Sequence, residues 1–183
     1  MNHSFMSSVS SGLAERGIAT LRYQFPFMQR GSKRPDPPPV AHATVRAAVA
    51  HAHSLLPALP LFAGGKSFGG RMTSQAQAHA AVPQVRGLIF LGFPLHPAGK
   101  PSLQRAAHLA QVGCPMLFLQ GTRDDLAAVD LIRAVTSQLG ERATLQWFPY
   151  ADHSFHVPAR SGLTDQQVLN SLCDAISAWT ASC

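Results

Sequence analysis

The stretch PLFAGGKSFGGRM, residues 60–72, governs how this chain folds and what it can do. A short apolar run, Leu61 to Ala63, ends in glycines that surround a single Lys66-Ser67 pair. Two chemistries use such a segment. A phosphate-cradling loop needs a glycine five positions before the glycine that precedes Lys-Ser, so that successive backbone amides wrap the phosphates. Here that position is Pro60, which has no amide to donate. The other pattern, G-x-S-x-G, is met by Gly65-Lys66-Ser67-Phe68-Gly69. It fits a sharp strand-to-helix turn that holds out a serine hydroxyl, with flanking glycines that let the backbone pack closely. A glycine-rich turn without chemistry would use the same five residues, so the partners of the serine decide the matter.

A nucleophilic serine needs a base to take its proton and a carboxylate to orient that base, and in this strand-turn-helix setting the chain order is Ser, acid, His. Downstream, the apolar run at residues 115–120 (PMLFLQ) is followed by GTRDD, residues 121–125. A carboxylate just past the C-terminal end of a strand sits where open parallel sheets gather functional residues. Asp124 is the expected acid, and Asp125 suits the first turn of a helix starting near Leu126. The final strand leads into YADHSFH, residues 150–156, which offers two histidines. His153 comes sooner after the strand and is the expected base; His156 is the alternative.

Outward from these segments, the pattern alternates. Helical spacing of Phe5, Val9 and Leu13 predicts a helix over 5–16, followed by a strand over 18–25 and a proline-rich loop over 29–39. Further helices are predicted over 40–56, 67–79, 102–111, 126–139 and 166–180, with strands over 61–63, 85–93, 115–120 and 143–148. Near-continuous apolar strands between helices imply an α/β fold, a mostly parallel sheet covered on both faces. With 183 residues and 46% hydrophobic residues, the chain is the size of a single domain over residues 1–183.

Charge and cysteines exclude several classes. The net charge is +6, but the 15 Lys and Arg are scattered, with only Arg30, Lys33 and Arg34 close together. Neither nucleic acid nor a membrane is an expected partner. The three cysteines form no paired ligand pattern and point to a reducing, cytoplasmic setting. His51 and His53 are two apart on a helix and face different ways, so no metal or cofactor is expected.

With those segments in place, the chain resembles the α/β-hydrolase superfamily, and within it the small, lidless dienelactone-hydrolase-like group. The nearest branch contains testis-expressed and chromatin-complex hydrolase-like proteins. NHSFM, LRYQFPFMQRGSKRPDPPP, GGKSFGGRM, GFPLHPAGKP, LQGTRD and ADHSF carry the resemblance along nearly all of the chain. It implies a three-layer sandwich and a serine hydrolase acting on a small ester or related acyl substrate without a cofactor. It further implies Ser67 as nucleophile, Asp124 as acid, His153 as base and the Phe68 amide as an oxyanion donor. Phe27, His96 and Phe155 are expected to line the site. The superfamily also has a sheet strand before its first helix, leading into a loop that gives a second oxyanion donor. In this chain that strand falls upstream of Met1, which is therefore expected to be an internal methionine of a longer reading frame. Strand 18–25 is then expected either to pair directly with strand 61–63 or to leave a gap roughly 5 Å wide. A different class of function, a binding or scaffold module that keeps the fold and uses the basic loop near Arg30–Arg34, is the alternative.

Overall fold

In the computed structural model, which describes residues 3–183, four strands form one parallel sheet. Strands β1 (Leu61–Lys66), β2 (Val85–Leu91), β3 (Met116–Gly121) and β4 (Ala143–Phe148) lie in the order β1-β2-β3-β4. Around them are α1 (Ser4–Ala14), α2 (Pro26–Gln29), α3 (Pro38–Leu55), α4 (Phe68–His79), α5 (Val129–Leu139) and α6 (Asp165–Ala181). The predicted helix over 102–111 is a 3₁₀ helix, Gln104–Gln111.

The layers follow from β2 and β3, which are apolar at nearly every position. Side chains alternate along a strand, so such a strand must be covered twice. Leu88, Phe90, Met116 and Phe118 enter a core shared with α3, α4 and α5. Leu91, Leu117 and Leu119 enter a second core with α1 and α6. Each fully buried Leu, Met or Phe contributes roughly 1.5–3 kcal/mol, so these two central strands anchor both layers.

Three sequence expectations change. Residues 18–25, predicted as a strand, carry no regular secondary structure and join no ladder among the described residues, and they do not pair with β1. Ile18 packs into the α1–α6 core while Tyr23 and Phe25 pack into the opposite one. The segment therefore crosses from layer to layer past the sheet edge, and its apolar residues report burial at both ends rather than pairing. The proline run does not stay loop: Pro38 opens α3, since the first helical turn needs no donor and proline's fixed φ suits it. β1 continues through Gly64 and Gly65 to Lys66, further than its apolar residues indicate.

Candidate active site

β1 ends at Lys66, α4 begins at Phe68, and Ser67 between them has φ 51° and ψ −115°. A non-glycine residue there carries strain on the order of 1–3 kcal/mol, which surrounding packing must hold. The hold is close: a Cβ on Gly70 would lie 2.7 Å from the Gly65 carbonyl oxygen, so α4 can press onto β1 only with glycine at that position.

Ser67 Oγ lies 2.8 Å from His153 Nε2, and His153 Nδ1 lies 2.8 Å from Asp124 Oδ2. The three residues come from the turns that follow β1, β4 and β3, all at the C-terminal end of the sheet. A carboxylate only accepts, so Nδ1–H donates to Asp124 and Nε2 is left to accept the serine proton. The Asp124 side chain is fully buried while that of His153 is 23% exposed. The acid is thus dry and the imidazole edge reaches solvent.

Several neighbours fix this geometry. Gln120, fully buried at the end of β3, donates from Nε2 to Asp124 Oδ2 at 2.5 Å and accepts from the Phe93 amide at 2.9 Å. The Leu126 amide donates to Asp124 Oδ1 at 2.8 Å. Gln120 escaped the sequence reading, although a lone polar residue closing an otherwise apolar run was the signal. Asp152 wraps the base loop by accepting from the amides of Ser154 and His156. Gly92, at φ 72°, leaves room beside the imidazole, where a Cβ would come within 3.4 Å of His153. Lys66 Nζ donates to the His153 carbonyl at 2.6 Å and lies over the Phe5 and Phe155 rings. Burial pulls the Lys66 ammonium down, and the charges of Asp124 and Asp152 push back against that shift.

The other expected residues divide. Phe68 opens α4, so its amide has no acceptor within the helix and sits at the positive end of the helix dipole. Phe27 packs edge-on against the Phe68 ring at 5.7 Å, next to the serine turn. Its amide donates to Asp36, whose second oxygen takes a bond from Arg30. Burial pushes the Asp36 carboxyl up, but these bonds and the Arg30 charge outweigh it and hold it below its ordinary value. His96, expected near the mouth, is instead 3% exposed: its Nδ1 meets the Pro97 carbonyl and its Nε2 accepts from the Ala128 amide. It staples the loop after β2 to the segment after Asp124. Phe155, also expected to line the site, is 3% exposed and stacks on Phe5 in the α1–α6 core. Of the two histidines after β4, His156 faces Asp165 and not Ser67. The second oxyanion donor is expected to follow a strand upstream of Met1, outside the described residues 3–183.

The family model of an α/β hydrolase domain matches residues 1–181. The chain belongs to the α/β hydrolase family. Solved structures similar to this hydrolase include a dienelactone hydrolase from Anabaena variabilis, with TM-score 0.76 and 19% identity over 99% of this chain and 80% of that one. A serine hydrolase without a lid from Xanthomonas campestris has TM-score 0.73 and 22% identity, covering 98% of this chain and 75% of that one. An α/β serine hydrolase homologue from Coxiella burnetii has TM-score 0.74 and 20% identity, covering 96% and 77%. At these identities the likeness is one of fold, and the chemistry of this hydrolase has to be argued from its own residues.

Proposed function

We propose that this α/β hydrolase is a serine hydrolase acting on a small ester or related acyl substrate. The observation that carries it is the unbroken chain of hydrogen bonds from Ser67 through His153 to the buried Asp124. Ser67 Oγ attacks the carbonyl carbon while His153 Nε2 takes the hydroxyl proton, and Asp124 holds the ring and stabilises the imidazolium that forms. The oxygen of the tetrahedral adduct becomes an anion, and the Phe68 amide is placed to donate to it; one such donor is worth about 10²–10³ in rate. Collapse breaks the bond to the leaving group, which leaves with the proton from Nε2. Water then attacks the acyl-serine with His153 again as base, which releases the acid and restores Ser67. The three cysteines are unpaired, in keeping with a reducing compartment such as the cytoplasm. Among the described residues no helix is long and apolar enough to cross a membrane.

Labelling of the folded protein with a fluorophosphonate probe tests the proposal. Wild type is expected to label, Ser67→Ala not at all, and His153→Phe at a rate lower by about 10³ or more. Folded wild-type protein that takes no label would overturn it and favour a binding module on the same fold.

A further inference from the structure

Arg71 lies four residues past Ser67, about 6 Å further along the axis of α4. Its guanidinium carbon is 5.9 Å from the centroid of the Phe68 ring. Its Nε is buried without a hydrogen-bond partner, the one side-chain nitrogen or oxygen in that condition among the described residues. Ser74 Oγ and His108 Nε2, 2.8 Å apart, lock α4 against the 3₁₀ helix. Arg71 precedes Ser74 by three residues and Arg105 precedes His108 by three, so each arginine lies about one turn before that contact on its own element, and the two are close enough for the charge of Arg105 to act on Arg71. Neither arginine has a carboxylate within ion-pair distance among the described residues. Burial pulls the Arg71 guanidinium down and the charge of Arg105 pulls it further. His108 adds no third positive charge: burial, with Arg71 and His42, brings its imidazole down to about 4.

Two cations near enough to act on one another without an anion cost folding free energy, and such exceptions concentrate at functional sites. We propose that Arg71 and Arg105 form a receptor for an oxyanion, a carboxylate or a phosphate, carried by the acyl substrate about one helical turn from the scissile carbonyl. This rests on the hydrolase function proposed above. The planar guanidinium can grip two oxygens of such a group at once. The preference over an uncharged substrate of equal length is about 10- to 100-fold, the worth of one charge-assisted hydrogen bond.

Two measurements test the receptor. In the first, nitrophenyl esters of equal chain length ending in methyl, carboxylate or phosphate are compared by kcat/KM. Wild type is expected to prefer a charged ester at least tenfold, and Arg71→Met and Arg105→Gln to reduce that ratio towards one. The better of the two charged esters assigns the oxyanion. A wild-type ratio near one, or a ratio unmoved in Arg71→Met, overturns the receptor. In the second, thermal unfolding is followed with added succinate or inorganic phosphate, which needs no turnover. Either anion should raise the wild-type Tm and lose that effect in Arg71→Met; no rise with either one overturns the proposal even if Ser67 labels normally. If Ser67 fails to label yet the anions still stabilise through Arg71, the receptor stands and the hydrolytic function falls.

Discussion

Replacing Gln120 by Leu removes the side chain that ties Asp124 itself to the loop after β2. Gln120 has no exposed surface, donates to Asp124 Oδ2 and accepts from the Phe93 amide. The substitution keeps the volume but leaves the buried Phe93 N–H unsatisfied, at about 1–3 kcal/mol, and takes one charge-assisted bond from a carboxylate, at about 1.5–3 kcal/mol. Leucine at the same site returns about 1 kcal/mol through apolar burial. The net loss is about 1.5–5 kcal/mol, and at about 2–4 °C per kcal/mol for a chain of this size Tm falls by about 3–20 °C. Calorimetry near pH 7.5 reads it directly. Gln120→Glu sharpens the test by putting a second carboxyl against Asp124, where both cannot ionise. The new glutamate has a raised folded pKa, so its bond is present in acid and lost with rising pH. Its deficit relative to wild type should therefore be small near pH 4 and grow as pH climbs above about 4.3. A Tm loss below 2 °C for Gln120→Leu, or a pH-independent deficit for Gln120→Glu, would refute this role for the amide.

Two further outcomes are expected. The His108 imidazole, brought down to about 4, stays neutral in the fold while the unfolded chain protonates near its ordinary 6.5. The unfolded state thus binds more protons between those values, so stability falls as pH drops from about 6.5 to about 4. His108→Gln should flatten that slope in urea midpoints, and parallel wild-type and variant curves would contradict it. Lys66→Met frees the His153 carbonyl, so kcat for a nitrophenyl ester should fall about tenfold with little change in KM, and Lys66→Arg should recover part of it. An unchanged kcat for Lys66→Met would show that the ammonium does not position the base loop.

Much of this was legible because some chemistry is written in order and period. The apolar continuity of residues 115–120 demanded a strand covered on both faces, and the Ser67, Asp124, His153 succession gave residues that the structure brings into contact. What escaped depends on neighbours. An apolar segment such as 18–25 becomes a strand only if a partner runs beside it, and here it bridges two cores instead. Prolines at 38 and 39 forbid a helix interior and favour a helix start, and the residue type alone does not choose between them. His96 and Phe155 have the right character for a site wall, but their side chains turn inward, a matter of backbone direction that composition does not carry.

Among the described residues, the strand that delivers Ser67 is laced sideways to β2 alone. Along its other rim alternate amides find no lateral carbonyl among the described residues, and in deuterated water these hydrogens would trade with solvent well before those of β3, which is gripped from both flanks. The hydroxyl with the strictest need for a fixed place is therefore held from one flank, where the Ser67 amide bonds the Leu91 carbonyl of β2, and from above by the close seat of α4 on β1.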